Sequence, residues 1–378
     1  MQKYADKNGN TIYAHRHPAE MNIYIEFRGS KGSTIYLAQE VESRGCSRIA
    51  VNGDNVTVFI GRAQLGELTM IMGNNAVCYI GNDTNMHPYV RAQRFDIASN
   101  TSIVIGDDCM ISENIEIPTS DWHPIYDANS GRRGNAPCSV FIGDHVWLGR
   151  NVSIFKGSRL ASGSILGFGS ILTGKYCPPN STNAGVPAKM LGTGKFWGRI
   201  ASGEVATEQE RCLGMFKYDA NIVIRPCDIE YTLKSLATSQ EKIEFLYDVL
   251  YLNSRHNRFA WNEESAVAND GVLLTYTNSF ERHVSGISIV KEKWNSPILN
   301  VPWAVLNDNV TSGLQLQALW LKRYSIRWQY WRCKVMRCIS WGRKRRKYKE
   351  KSVRYMHFLR QIQSYEKMMK HPYGECFL

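Results

Sequence analysis

Residues 119–140 read TSDWHPIYDANSGRRGNAPCSV and gather Asp121, Trp122, His123, Tyr126, Arg132 and Arg133. An imidazole titrates near neutrality, so His123 can take or give a proton under physiological conditions. Trp122 and Tyr126 offer flat apolar faces. Arg132 and Arg133 are forks suited to a carboxylate or phosphate. They are equally at home as solvated loop cations, and the sequence does not choose. The same duality holds for His123, a base or a solvated loop residue, and for Asp121, which either orients the ring or serves the loop alone. Pro, Gly, Asn and Ser give the stretch loop character. A long loop on a rigid scaffold is a usual seat of function.

The scaffold is visible as a repeat on both sides of that stretch. Residues 142–173 fall into six-residue units, IGDHVW, LGRNVS, IFKGSR, LASGSI and LGFGSI, then LT. The first position is Ile142, Leu148, Ile154, Leu160, Leu166 and Leu172; the fifth is Val146, Val152, Ser158, Ser164 and Ser170. Upstream, Ile105, Ile111 and Ile117 keep the same spacing, and a fainter set runs Leu65, Ile71, Val77. A period of six is neither 2 nor 3.6. It fits a triangular solenoid, in which each hexad supplies a short strand and a corner and three hexads close a coil. The aliphatic residue points inward, the small residue sits at the turn, and glycine is expected to take the corner dihedrals. Ile117 and Ile142 are out of step, so the chain between them must loop out. The fold expected is mainly β: a left-handed parallel β-helix over 55–195 with a loop at 118–140. Residues 1–54 lead into it, and 196–378 form an α-containing C-terminal extension.

The hexad run, the looped histidine of TSDWHPIYD, the unit IGDHVWLGRN and the closing PPNSTNAGVPAKML together resemble the hexapeptide-repeat acyltransferases. The SD-x-HPIYD form looks most like the bacterial capsule and polysialic-acid O-acetyltransferases. The resemblance covers roughly residues 55–195, and Trp122 stands where a small residue is expected. It implies acetyl transfer from acetyl-coenzyme A to a hydroxyl of a capsular or other surface polysaccharide, in a homotrimer with sites between neighbouring prisms. His123 would be the general base that takes the hydroxyl proton, and Trp147 would wall the acceptor beside it. Gly149 and Gly167 match positions of close approach to the cofactor. Thr173, Lys175 and Lys189 match positions at its polar end, and Tyr176 would cover the thioester. Trp122 and Tyr126 suit sugar rings, while Arg132 and Arg133 suit an anionic group on them. His145 reads as an outward, solvent-facing residue. No metal is expected. A zinc hydratase of the same fold needs converging histidines, and His87, His123 and His145 have the wrong spacing.

Two other classes stay open: an N-acetyltransferase acting on a nucleotide-linked amino sugar, and a non-enzymatic solenoid scaffold with a basic binding module. That module would be residues 322–354, which carry 14 Lys or Arg and one acidic residue, leaving 32 basic against 33 acidic residues elsewhere. Its basic residues and its aromatic stripe Trp328, Trp331, Trp341 suit an anionic lipid surface or a capsule-assembly partner. Charge alone would admit nucleic acid, but none is expected. The polar N-terminus lacks a secretory core, and no apolar run approaches the roughly 20 residues of a membrane span. The expected location is cytoplasmic, or peripheral at the inner membrane. The ten cysteines read as reduced thiols. Farther along, Thr238 and Glu241 have capping-box spacing ahead of Ile243, Leu246, Val249 and Leu250, which predicts a helix at about 239–252. Residues 256–310 suggest short strands and loops.

Overall fold

The computed structural model describes residues 1–87, 93–199, 207–285, 287 and 289–290. Three long sheets form the faces of a prism, and the chain visits them in rotation: first face, second face, third face, then the first again. The first has ten strands, the second eight and the third seven. Within each face, successive coils pair in parallel, as in Ile103↔Val140 on the first face and Met110↔Trp147 on the second. This is the left-handed parallel β-helix.

The inward column is the expected one. Ile142, Leu148, Ile154, Leu160, Leu166 and Leu172 are buried in a single apolar core with Ile105, Ile111 and Ile117. The small fifth positions are fully buried. The faint upstream register is a correction. Met70, Met72, Cys78 and Ile80 point inward there, whereas Ile71 is half-buried on the outside and Val77 packs outward. The parallel ladders also begin at Thr11–Ala14, so the boundary expected at residue 55 falls inside them. These early coils were hidden because they are not three clean hexads. Paired residues on the first face run Ile12, Ile35, Val58, Cys78 and Ile103, steps of 20 to 25 residues, against 18 from Ile142 to Leu160.

At the corners Gly157, Gly163 and Gly169 take left-handed dihedrals, with φ of 79°, 74° and 67°, as expected of glycine. Gly143, Gly149 and Gly167 do not take left-handed dihedrals. A Cβ on Gly143 would stand 2.6 Å from the Ser162 nitrogen, and one on Gly149 2.7 Å from the Phe168 nitrogen. Close stacking of the next coil is what excludes a side chain there. The left-handed positions of the earlier coils go to Asn and Asp, which tolerate them. Asn55, Asn75 and Asn100, with φ of 55°, 54° and 61°, stack at the corner between the third and first faces. Their side-chain amides bond in series at 2.9 Å.

After the antiparallel closing strand Lys189–Gly192, the chain returns along the solenoid. Among the described residues five helices follow: α1 (Glu208–Leu213), α2 (Pro226–Ser235), α3 (Ser239–Phe245, continued by a π turn Leu246–Tyr251), α4 (Glu263–Val267) and α5 (Ser279–Val284). The Thr238–Glu241 capping box forms as expected. Of the stretch 256–310, where short strands and loops were expected, the described part holds loops and the short strand Ile289–Val290 and also α4 and α5, while 291–310 lies outside the described residues. Ala266 of α4 and Phe280 of α5 join Phe245, Leu246, Phe259 and Trp261 over an outward column on the first face, Tyr13, Tyr36, Phe59, Tyr79 and Phe141. Tyr36 stacks on Phe59 with ring centroids 4.5 Å apart.

One buried cation ties this layer to the coils. Arg258 is wholly buried and grips Asp144 with two bonds, at 2.9 and 2.8 Å. The same Nη2 meets Asp107 at 2.8 Å. Burial pushes the Asp107 carboxyl up to about 6, against the pull of Arg258, and the Asp144 charge adds to the rise. The basic run 322–354 lies outside the described residues. Among the described residues, no helix is long and apolar enough to cross a membrane.

Removing Arg258 would strand the buried Asp144 carboxylate and the half-buried Asp107 carboxylate beside it. Arg258→Ala is expected to cost ~3–5 kcal/mol in denaturant unfolding. A loss under about 1 kcal/mol would show that the helical layer is held by its apolar contacts alone.

Candidate active site

The loop leaves the third face after Glu116–Pro118 and rejoins the first at Val140–Ile142. It therefore emerges from the corner between those faces. Its base is closed by the Cys138 amide donating to the Thr119 carbonyl at 3.0 Å. Its tip is a small hairpin in which Asp127 N bonds Arg132 O at 2.9 Å and Gly134 N bonds Ile125 O at 2.9 Å. Asp127 Oδ1 accepts from the Ser130 amide, so the tip is locally capped.

Asn135 organises the loop, and nothing in its spacing announced it. Its side-chain oxygen accepts from Ile125 N at 2.7 Å and Arg133 Nε at 3.3 Å. Its amide donates to Asp121 Oδ2 at 2.9 Å and to the His123 carbonyl at 2.8 Å. Asp121 also receives Lys156 Nζ at 2.5 Å. That lysine bond, with Asn135 and Arg133, holds the Asp121 carboxyl below its ordinary value despite slight burial. In this structure the Asp121 carboxylate meets Lys156 and Asn135. Lys156 was findable, since it occupies the third position of the hexad one coil beyond the loop. The His123 side chain is exposed, with its main chain fixed on both sides through Asp121 O and Asn135. Trp122, Tyr126, Arg132 and Arg133 are exposed too. Trp122 has a φ of 62°. A bulky residue rarely adopts that conformation, which explains why a small one was expected there.

Trp147 stands elsewhere, on the second face, paired to Met110 and Ile165. That face lies opposite the corner from which the loop emerges. One chain therefore does not bring His123 and Trp147 to a common edge. The cofactor candidates divide the same way. Thr173 and Lys175 are exposed at the loop's own corner, two coils on, whereas Gly149, Gly167 and Lys189 belong to the second-face side. Tyr176 departs from its expected role. Its hydroxyl donates to the Trp261 carbonyl at 2.5 Å, and its ring packs under the helical layer.

His145 is also not solvent-facing. Its Nδ1 meets Asp108 Oδ2 at 2.6 Å, its Nε2 meets the Trp197 carbonyl at 3.0 Å, and its ring stacks on Trp197 with centroids 4.0 Å apart. Arg199 Nε closes on the other oxygen of Asp108 at 2.8 Å. Burial acts to raise the Asp108 carboxyl, but the His145 bond and Arg199 outweigh it and hold it low. The returning segment is thereby pinned beside Trp147, whose ring lies 6.3 Å from that of Trp197. Among the described residues, no group of three or more His, Cys, Asp or Glu side chains could hold a metal ion.

The chain is 34% identical over 116 residues to the polysialic acid O-acetyltransferase of Escherichia coli O1:K1, spanning 31% of this chain and 38% of that protein. It is 36% identical over 115 residues to the polysialic acid O-acetyltransferase of Neisseria meningitidis, spanning 29% of this chain and 50% of that protein. The galactoside O-acetyltransferase of E. coli K12 is 29% identical over 134 residues, with 33% of this chain and 64% of that protein covered. The resemblance to the hexapeptide-repeat acyltransferases is borne out. The chain spans half or less of the length of the two polysialic acid enzymes it matches. The solved structure of the polySia specific acetyltransferase NeuO aligns with 53% of this chain and 93% of its own at 28% identity and a TM-score of 0.41. No family model matches the chain.

If Asn135 sets the loop, Asn135→Ala should speed hydrogen exchange at the Ile125 amide by about tenfold, because that local opening loses its acceptor. The melting transition of the solenoid should stay where it is. Unchanged exchange at Ile125 would show that the hairpin holds its own shape.

Proposed function

We propose that this chain is an O-acetyltransferase that moves acetyl from acetyl-coenzyme A to a hydroxyl of a bacterial capsular or other surface polysaccharide. The observation that carries this reading is the similarity to two polysialic acid O-acetyltransferases. His123 takes the hydroxyl proton as that oxygen attacks the thioester carbonyl. Collapse of the tetrahedral centre breaks the C–S bond, and the proton passes from the imidazole to the departing coenzyme A thiolate. No covalent acyl-enzyme is required. The anchored main chain around His123 supports this role, because a base must be held within reach of its proton. Thr173 and Lys175, exposed along the same corner, suit the polar end of an anionic cofactor, Lys175 as a point charge.

The separation of His123 from Trp147 leads to a second part of the proposal. The site closes between copies, the loop of one prism meeting the second face of the next, as in a cyclic trimer. The first face is covered by the helical layer, which leaves the other two for such contacts. The site would then work in the cytoplasm or at the inner membrane surface, where acetyl-coenzyme A is made.

Thiol release from acetyl-coenzyme A should depend on one polymer in a panel of purified capsular polysaccharides and should vanish in His123→Ala. No release with any polymer, sugar nucleotide or free sugar would overturn the reading. A shared site makes a further demand. Mixed oligomers of His123→Ala and Trp147→Ala should regain about a quarter of wild-type activity by random assembly, since one site in four is then intact. Inactive mixtures whose mixed composition is verified by mass would place both residues within one chain's site.

A further inference from the structure

We propose that His145 and Trp197 are positioning residues for acetyl transfer, fixing the angle of the Trp147 ring where it walls the acceptor. This rests on the acetyltransferase reading and on the place of Trp147 in it. It gives the returning segment a part in the half-site that the second face offers. Trp147 needs such support. It stands on the two-residue strand Trp147–Leu148, with Met110 and Ile165 as its outward neighbours on the adjacent coils. Its ring is 36% exposed, and an indole with that much free surface changes rotamer unless a neighbour stops it. Trp197 is that neighbour. It is buried, and its ring lies 6.3 Å from that of Trp147 at 48°, within the range at which aromatic pairs attract.

Trp197 is in turn locked to His145 by contacts that run in both directions. The two rings stack at 4.0 Å and 7°. His145 Nε2 donates to the Trp197 carbonyl at 3.0 Å, and Trp197 Nε1 donates to the His145 carbonyl at 2.8 Å. His145 Nδ1 meets Asp108 Oδ2 at 2.6 Å. Both partners of the imidazole are acceptors, so both of its nitrogens donate. Arg199 Nε holds the other oxygen of Asp108 at 2.8 Å, and its Nη2 donates to the carbonyls of Asp83, Asp108 and Cys109.

The corner explains why a histidine does this. Asp83, Asp108 and His145 turn successive coils between the first and second faces, with φ of 57°, 55° and 53°. Aspartate or asparagine is the usual choice for that backbone. A histidine there reaches farther, to Asp108 on the preceding coil and outward to the returning chain. Two residues on, the same turn delivers Trp147. The clamp and the ring it steadies are therefore set by one corner.

The test reads the ring pair and the chemistry separately. His145→Asn installs a residue that tolerates the left-handed backbone and keeps both indoles. Circular dichroism should show an exciton couplet from the Trp147–Trp197 pair, assigned by its loss in Trp147→Ala. His145→Asn should lose that couplet while the unfolding transition of the solenoid stays where it is. With acetyl-coenzyme A and the polymer that supports thiol release, His145→Asn and Trp197→Ala should lower kcat about tenfold and leave KM for acetyl-coenzyme A unchanged. Trp197→Phe, which keeps a ring, should recover most of that loss. Folded His145→Asn with wild-type kcat, or with the couplet intact, would overturn the inference and leave the clamp a purely structural tie. Wild-type protein that releases no thiol with any acceptor would sink the acetyltransferase reading, and this inference with it.

Discussion

The stacking of one coil on the next, with its continuous inward aliphatic column, is the constraint from which the rest of the molecule follows. Each coil buries its Ile or Leu against those above and below, so no single coil is stable alone. Close stacking forces glycine at Gly143 and Gly149, where a Cβ would collide with the next backbone. It also aligns the corners into ladders, because left-handed residues at one corner must recur directly above each other. Asn55, Asn75 and Asn100 turn this requirement into a bonded series. The corner thus becomes a straight, rigid edge. Any insertion at a corner is presented outward by the stack without disturbing the column, and the long loop exploits that freedom.

The helical layer changes what the prism can offer. A bare prism has three comparable faces, but here the first is committed. Its outward aromatic column is covered, and Arg258 fixes the cover through two carboxylates. Replacing such a buried ion pair with apolar groups is often neutral for stability, whereas removing one partner is costly. The layer also carries Lys234 to the same corner as the loop. In this way a segment with no repeat of its own helps shape a cleft beside the candidate base.

The loop shows how local order is achieved without burial. Asn135 gathers four groups from both sides of the hairpin around one side chain. Lys156 reaches Asp121 from the next coil. The loop is therefore referenced to the scaffold at its root, while its tip, with Ile125 and Tyr126 well exposed, stays available for contacts. Strain is confined to Trp122, between these two regions.

The sequence by itself determined the solenoid, its inward column, the position of the loop and the α3 cap. Each of these is encoded by residues near one another in the chain, through a period of six or a capping box. It did not reveal the early coils, whose lengths of 20 to 25 residues conceal the period, nor that asparagines turn their corners. Tertiary structure alone decided that Tyr13, Tyr36, Phe59 and Tyr79 form a column, because their spacing follows coil length rather than a fixed period. It alone moved His145 into a cluster with Asp108 and Trp197, turned Tyr176 under the helices, and set His123 and Trp147 on different sides of the prism. The physical reason is common to all of these. A repeat fixes where a residue stands within its coil, but what it meets outside the prism is set by segments that fold back from far along the chain.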